Sequence, residues 1–257
     1  MNNFLIVRFS IKTHLYQNQM WANANKKIEE MFPERESWFK YRANLFNETY
    51  QSFLYQTDPI KKIFLIFDED DYLLYEKYIL PKFDIIPVFD KQRDWKATYT
   101  KNILNTCSTN VVLSRVDSDD LIDKHYIENI NDAIIKSKKN NNDLTVIAPC
   151  GKISDGVHYQ EILWNVSPFI SLYCPHYREQ DVYSESHMLS LKGSHVFTQH
   201  AQWTQRIHGT NVDNKFLEER PGFNEIASVL FNEDANGELM INTISTPFLN
   251  VGAKQKI

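Results

Sequence analysis

The sequence predicts an α/β fold in which helices flank a mostly parallel central sheet. Three observations indicate this: short apolar runs alternate with helical segments, most runs end in a polar or charged residue, and 257 residues are enough to bury a large core. In sheets of this kind, ligands bind beyond the carboxyl ends of the strands. A functional site is therefore expected where the apolar runs stop.

Five segments are predicted strands because they are short and rich in β-branched and aromatic residues. In chain order they are Phe4–Phe9, Lys62–Phe67, Ile85–Phe89, Asn110–Val116 and Leu144–Ala148. Four further segments are predicted helices: Asn18–Met31, Tyr72–Tyr78, Trp95–Asn105 and Asp123–Lys139. Beyond these segments the hydrophobic pattern is less regular. Residues 151–194 are expected to form loops, short helices and edge strands that face the substrate.

Composition argues against several classes of protein. A net charge of −5 without a basic stripe argues against a nucleic-acid partner. The three cysteines, Cys107, Cys150 and Cys174, are widely separated and form no CxxC pair, so a reducing, cytoplasmic location is expected. No transmembrane segment is expected, because no apolar run reaches the roughly 18 residues that a spanning helix needs.

The fourth predicted strand ends in an acidic cluster, Asp117-Ser118-Asp119-Asp120. In an extended chain, side chains alternate, so Asp117 and Asp119 are expected to face the same side. Two hard oxygen ligands suit Mn²⁺ or Mg²⁺, which keep water and recruit substrate phosphates. Asp120 either joins them as a third metal ligand or caps the following helix. The alternative for the whole cluster is a polar turn without metal.

Two motifs in this order resemble GT-A-type glycosyltransferases. In the first, a predicted helix carrying the basic-Asn pair Lys101-Asn102 leads into the strand that ends in the DxD motif. The second is Trp203-Thr204-Gln205-Arg206-Ile207-His208-Gly209-Thr210-Asn211. Together with Arg115-Val116-Asp117-Ser118-Asp119-Asp120, this segment is similar to the rhamnosyltransferase-like family, with its patterns R-[hydrophobic]-D-x-D-D and W-x-Q-x-x-H-G-x-N.

The resemblance implies a GT-A-like fold and a metal-dependent transfer with inversion. A hexose such as rhamnose would pass from a UDP-, TDP- or GDP-sugar to a glycan or glycolipid acceptor. Residues 1–257 would form one domain, with the nucleotide sugar bound by residues 1–122 and the acceptor by residues 123–257. The products would serve polysaccharide biosynthesis.

The resemblance also implies roles for single residues. Asp119 would be the principal metal ligand, and Asp117, Asp120 and His208 would complete or support the metal site. Donor contacts would come from Arg8, Asp68, Lys101, Asn102, Arg115 and Asp117. Two of these have a second reading: Asp68 as the cap of its own turn, and Arg115 as the residue that holds the carboxylates through a charge-assisted hydrogen bond.

An inverting transferase needs a carboxylate that takes the proton of the acceptor hydroxyl. Asp155, Glu161, Asp181 and Glu185 all follow the DxD motif. Asp181 and Glu185 are spaced i, i+4 and would share a helix face, so they are the predicted catalytic residues, with Asp181 preferred. Two other functions stay open: a metal-dependent phosphodiesterase or nuclease, and an inactive GT-A-like module that binds glycans.

Overall fold

The structure of the chain is a computed structural model. It describes the side chains of residues 1–10, 26–90, 98–137, 142–164, 167–183, 194–198, 200 and 203–208. It describes the backbone alone of residues 95–97, 231–233, 239–241, 248–250 and 255–256. In these ranges, no helix has both the length and the apolar character needed to cross a membrane.

The strands and helices have the following bounds. The strands are β1 (Asn2–Arg8), β2 (Ile60–Asp68), β3 (Ile86–Asp90), β4 (Thr109–Asp117), β5 (Leu121–Ile122), β6 (Leu144–Ile147), β7 (Cys150–Ser154), β8 (His158–Trp164), β9 (Ile170–His176), β10 (His195–Phe197), β11 (Trp203–Arg206), β12 (Phe231–Glu233), β13 (Leu239–Ile241), β14 (Phe248–Asn250) and β15 (Gln255–Lys256). The helices are α1 (Arg35–Leu54), α2 (Tyr72–Tyr78), α3 (Trp95–Leu104) and α4 (Tyr126–Lys136), and residues 26–31 are also helical.

A seven-stranded sheet with the order β10-β6-β9-β4-β1-β2-β3 forms the centre of the fold. β9 runs antiparallel to β4 and β6, while the other strands run in one direction. Helices cover both faces. The predicted α/β class, with a mostly parallel sheet flanked by helices, is confirmed.

The two faces of this sheet have separate cores because side chains alternate along each strand. Leu5 and Val7 of β1 pack with residues of α1, α2 and α4, and we call this side the α1 face. Phe4 and Ile6 pack with Tyr99 and Ile103 of α3 on the opposite side, the α3 face. Arg8, two residues beyond Ile6, lies on the α3 face at the carboxyl end of its strand.

A second sheet with the order β14-β8-β7-β11-β5 lies beyond the end of β4, and β15 also pairs with β8. β5 begins at Leu121, directly after the acidic cluster, and pairs with β11. Because the central sheet uses strands from before and after residue 122, the two predicted functional halves share one sheet. The division of labour between those halves stays a prediction.

Helix α1 was not among the predicted helices, although its signal is present in the sequence. Its buried aromatic and small residues, Phe39, Ala43, Phe46, Tyr50 and Phe53, recur at alternating spacings of four and three. This spacing is typical of an apolar helix stripe. Arg35 ties the first turn of α1 to the short turn that follows β2, because its guanidinium makes bonds of 3.0 and 2.5 Å to the two carboxylate oxygens of buried Asp71.

The expectation for residues 151–194 was wrong in part. β7, β8 and β9 account for most of residues 150–176, and β9 lies inside the central sheet rather than at an edge. A strand that is covered on both faces has no polar alternation, and the burial of β9 is nearly continuous. Periodicity alone therefore could not reveal it.

Trp203 is the largest fully buried side chain among the residues that the structure describes, and it joins the second sheet to the core. Its ring stacks on Phe169 with 4.5 Å between the centroids, and Nε1 donates a 2.7 Å hydrogen bond to the carbonyl of Ala148. Gly151 lies directly against the indole, so that a Cβ atom at this position would overlap the ring. The glycine is required here because Trp203 has no room to move.

We expect Gly151→Ala to lower the free energy of unfolding by about 1–3 kcal/mol, as overpacking of a filled core does. The measurement is urea denaturation followed by tryptophan fluorescence. Lys152→Ala is the matched control, since the Lys152 side chain is partly exposed and its change is expected to stay within about 0.5 kcal/mol. Equal stabilities for the two variants would contradict this account of Gly151.

Candidate functional site

The carboxyl ends of β1 and β4 lie side by side and bring the first pair of predicted site residues together. Arg8 stands opposite Asp117 in the parallel register of the two strands. Nη2 of Arg8 donates a 3.1 Å hydrogen bond to Oδ1 of Asp117. Both side chains are partly exposed, at 25% and 35%, so a ligand can reach the pair from solvent.

Asp119 is held by two cationic or ionisable side chains from other parts of the chain. Nη1 of Arg42, on α1, lies 3.0 Å from its Oδ2, and Nη2 of Arg42 donates to Oδ1 at 3.3 Å. Nε2 of His208, 89 residues further along the chain, lies 2.6 Å from Oδ2. Arg42 also donates to the hydroxyl of Ser118. The fold thus brings together the DxD motif and the histidine of the second motif.

The expectation that Asp117 and Asp119 face the same side was wrong. β4 ends at Asp117, and residues 118 and 119 form a turn, closed by a bond from the amide of Asp120 to the carbonyl of Asp117. Alternation holds only while the chain is extended. Asp117 therefore meets Arg8 on the α3 face, whereas Asp119 meets Arg42 of α1 on the other.

Burial and charge act in opposite directions on the two inner carboxylates. Burial opposes the ionisation of Asp119, but the charge of Arg42 and the hydrogen bonds from His208 and Arg42 outweigh it and hold the pKa of Asp119 well below its usual range. For Asp120, burial and the charges of Asp119 and Asp117 raise the pKa well above its usual range. Of these two carboxylates, Asp119 is therefore the one that stays ionised.

Arg206 fixes the backbone of the acidic cluster. Its Nε donates to the carbonyl of Asp119, and its backbone amide donates a 3.2 Å bond to Oδ1 of Asp120. Its Nη2 donates at 2.8 Å to the carbonyl of Leu45 and to Oγ1 of Thr49, both on α1. The side chain therefore joins β11, α1 and the end of β4.

The ring of Tyr183 contacts both arginines of the α3 face. The guanidinium carbons of Arg8 and Arg115 are each 4.7 Å from the centroid of its ring, within cation–π range. Its hydroxyl donates a 3.1 Å bond to the carbonyl of Ile6. Its backbone amide donates a 2.9 Å bond to Oδ1 of Asp181.

Asp181, the predicted base, has structural contacts. Besides the amide of Tyr183, its Oδ1 accepts a hydrogen bond from the hydroxyl of Tyr99 on α3. Burial, and then the charge of Asp181, raise the pKa of Tyr99 far above its usual range, which keeps the hydroxyl protonated as a donor. Glu185, the second predicted catalytic residue, lies outside the described residues.

The remaining predicted donor residues lie apart from these contacts. Asp68 caps its own turn, because Oδ1 accepts a 3.1 Å hydrogen bond from the amide of Asp70. Lys101 is exposed on α3. The side-chain amide of Asn102 donates to the carbonyl of Thr98 one turn earlier. Donor binding by Asp68, Lys101 and Asn102 stays a prediction.

Three residues of the site were not selected from the sequence: Arg42, Arg206 and Tyr183. The apolar stripe of α1 was a signal for the helix but not for Arg42, which is not among the buried residues of the stripe. Arg206 lies inside the second motif, between Gln205 and His208, but its pattern leaves that position variable. For Tyr183 the sequence carries no comparable signal, because the approach of residues 177–183 to β1 depends on tertiary packing.

Asp119 and His208 are the two predicted metal ligands that the structure brings into contact. Nε2 of His208 and Oδ2 of Asp119 lie 2.6 Å apart as hydrogen-bond partners, and imidazole and carboxylate are ligand types that Mn²⁺ accepts. Among the residues that the structure describes, no group of three His, Cys, Asp or Glu side chains is placed to hold a metal. Such an ion would therefore need ligand or water oxygens to complete its coordination.

A cavity of about 580 Å³ lies elsewhere, between the second half of α1, β5 and β11. Its lining includes Glu48, Tyr55, Lys124, Lys152 and Trp203. None of the predicted site residues that the structure describes lines it. Glu48 connects the cavity to the site, because its carboxylate accepts a 2.7 Å bond from Nη1 of Arg206.

Comparisons with known proteins gave structural matches only. No protein-family model and no curated protein matched the sequence. S. aureus TarS 1-349 in complex with UDP matches with a TM-score of 0.39 and 14% identity over 80% of this chain, which spans 61% of that chain. The complex of TarS 1-349 with UDP-GlcNAc matches with a TM-score of 0.38, 15% identity and coverages of 81% and 59%.

A third match is a protein of Desulfovibrio desulfuricans G20 named as a "putative nucleotide-diphospho-sugar transferase". Its TM-score is 0.37 at 12% identity, with coverage of 79% of this chain and 82% of that one. TM-scores below 0.5 at such identities do not establish a relationship. The functional conclusion therefore depends on the residues of this chain.

We expect Arg206→Ala to lower the free energy of unfolding by about 2–4 kcal/mol, because it leaves the carbonyl groups of Asp119 and Leu45 without this donor. The measurement is chemical denaturation of both proteins. Arg178→Ala is the control, since Arg178 is exposed. Glu48→Ala separates the surface ion pair from the buried bonds, and it is expected to cost less than about 1 kcal/mol. A similar cost for Glu48→Ala and Arg206→Ala would contradict the role assigned to the buried bonds.

Proposed function

We propose that the chain is a metal-dependent glycosyltransferase that moves a hexose from a nucleotide-diphosphate sugar to a glycan or glycolipid acceptor. The observation that carries this proposal is the meeting of the two motifs at the end of β4. Asp119 of the first motif contacts His208 of the second, at the edge of the sheet where α/β folds bind ligands. Arginines surround the same strand end, as an anionic donor requires.

Asp119 and His208 are the residues that would hold Mn²⁺ or Mg²⁺. The bound ion would neutralise the negative charge that develops on the leaving nucleoside diphosphate. Asp119 is suited to this because it stays ionised in a buried position. Asp117 is the more exposed carboxylate and would meet the ribose or the outer shell of the ion. Asp120 would hold the turn in place through Arg206.

Arg8 and Arg115 would bind the donor phosphates from the α3 face. Arg8 is partly exposed and already pairs with a carboxylate, Asp117, in the manner in which it would pair with a phosphate oxygen. Arg42 would stay with Asp119 and limit the negative charge that the diphosphate meets there. Lys101, Asn102 and Asp68 remain further candidates for donor contacts.

The finer points of the proposal come from the resemblance of the two motifs. They are rhamnose as the hexose, inversion at the anomeric carbon, and Asp181 or Glu185 as the base. The contacts of Asp181 with Tyr99 and Tyr183 favour a structural role for its Oδ1, so Glu185 is the stronger candidate of the two. The cytoplasmic location is likewise a prediction.

Donor hydrolysis tests the proposed function. We expect the wild-type protein with Mn²⁺ to release UDP, TDP or GDP from at least one sugar in a panel of nucleotide sugars, and Asp119→Asn to lower the rate by about 100-fold or more, the scale seen when a charge-stabilising group is removed. Chromatography of the released nucleotide is the measurement. Asp132→Asn on the exposed side of α4 is the control for a lost surface carboxylate.

Three outcomes would sink this proposal. One is cleavage of RNA, DNA or a phosphodiester reporter without nucleotide release, which supports a phosphodiesterase. Another is binding of a glycan without any turnover, which supports an inactive module. The third is full activity of Asp119→Asn, provided that circular dichroism shows both proteins folded.

Metal dependence has its own test. We expect chelation to stop nucleotide release and added Mn²⁺ to restore it, and His208→Ala to need at least about tenfold more Mn²⁺ for half-maximal rate. Paramagnetic resonance of free Mn²⁺ measures the same affinity without turnover. His176→Ala is the control, because His176 is exposed at the far end of β9. Unchanged Mn²⁺ affinity in His208→Ala would remove His208 from the metal site.

A further inference from the structure

The two arginines of the α3 face form an unusual pair because they carry like charges on the same side of neighbouring strands. The register of β1 and β4 places Ile6 opposite Arg115 and Arg8 opposite Asp117. Arg8 and Arg115 are therefore diagonal neighbours, and both side chains turn to one ring, that of Tyr183. Each guanidinium carbon lies 4.7 Å from the ring centroid.

Tyr183 is itself held at both ends. Its hydroxyl donates to the carbonyl of Ile6, on the strand that carries Arg8. Burial raises the pKa of Tyr183 to about 12, so the hydroxyl stays protonated and keeps this bond. Its amide donates to Asp181, which accepts in turn from Tyr99 on α3. The ring is thus fixed relative to β1 and α3 together.

We propose that Tyr183 is a positioning residue that holds Arg8 and Arg115 side by side as one binding site for the diphosphate group of the donor. The face of an aromatic ring attracts guanidinium groups and restrains long, flexible side chains. Two restrained arginines offer forked donors to two phosphate groups at a smaller entropic cost than two mobile ones. This inference rests on the proposed function, but the diphosphate chemistry can be tested without turnover.

The contacts favour such a role over simple packing. Packing in the core would not require two cations against the ring of Tyr183. The side chain of Arg8 is also 25% exposed at the edge of the sheet, where a ligand can reach it. Asp117 offsets part of the charge of Arg8. Arg115, whose side chain is largely buried, supplies the second positive charge at the ring, and the carboxylate of Asp181 also lies close to Tyr183.

The test compares Tyr183→Phe, which keeps the ring, with Tyr183→Leu, which removes it. Calorimetry measures the binding of UDP, GDP, TDP and inorganic pyrophosphate, each with Mg²⁺, and steady-state kinetics measures donor KM and kcat. For Tyr183→Leu we expect the affinity for pyrophosphate, and for whichever nucleotide the wild type binds, to fall by about tenfold. We expect donor KM to rise by the same factor, while kcat stays within about twofold. Tyr183→Phe is expected to stay within about threefold of wild type.

Tyr173→Leu is the matched control. Tyr173 is a buried tyrosine whose hydroxyl donates a 2.8 Å bond to Asn110, near the opposite end of β4. Its loss is expected to lower stability without changing donor KM. A rise in KM in this variant equal to that in Tyr183→Leu would mean general loosening and would overturn the proposal.

The remaining outcomes separate this inference from the proposed function. If the protein turns over no nucleotide sugar but Tyr183→Leu weakens pyrophosphate binding, the diphosphate site is supported and the glycosyltransferase function is contradicted. Turnover with unchanged KM in Tyr183→Leu overturns the inference and leaves the transferase standing. Equal losses in Tyr183→Phe and Tyr183→Leu also overturn it, because the hydroxyl rather than the ring would then be responsible. So does the absence of both pyrophosphate and nucleotide binding in the wild type.

Discussion

The bond from Arg206 to the carbonyl of Asp119 is the interaction on which the site depends. A turn of three acidic residues at a strand end has few backbone partners of its own, and its charges repel each other. Arg206 supplies a charged donor to that backbone and binds α1 through Leu45 and Thr49 at the same time. Because His208 follows Arg206 by only two residues, just beyond the end of β11, the same bond helps to bring the imidazole to Asp119.

The site is balanced in charge, and this shapes what it can bind. Asp117 is paired with Arg8, and Asp119 with Arg42 and His208. Burial and the neighbouring carboxylates raise the pKa of Asp120, so Asp120 is protonated more readily than Asp119. An acidic cluster without these partners would repel a diphosphate. With them, an anion meets guanidinium groups as it approaches, while Asp119 keeps the ionised oxygen that a metal needs.

The sequence predicted the architecture wherever local pattern decides it. β1 to β4 and β6 were found from their apolar runs, and the acidic residues do lie at the carboxyl end of β4. The prediction that Asp117 and Asp119 face the same side was wrong because side chains alternate between the two faces only inside a strand. β9 and Tyr183 depend on contacts between segments far apart in the chain, which no local pattern encodes. Arg42 is the intermediate case: its helix has a clear apolar stripe, but only the folded chain shows that it meets Asp119.

The turn after Asp117 separates the cationic partners onto two sides of one strand end. Arg8, Arg115 and Tyr183 lie on the α3 face, and Arg42 and His208 meet Asp119 on the side of α1. A ligand bound on only one side would contact either the arginine pair or Asp119 with its partners, but not both. Under the proposed function, the diphosphate of the donor would bridge the two sides, with one phosphate at the arginine pair and the other at the ion held by Asp119 and His208. Under the proposed function, the break in alternation is therefore useful, because it prevents the phosphate-binding arginines and the metal-binding pair from competing for one space.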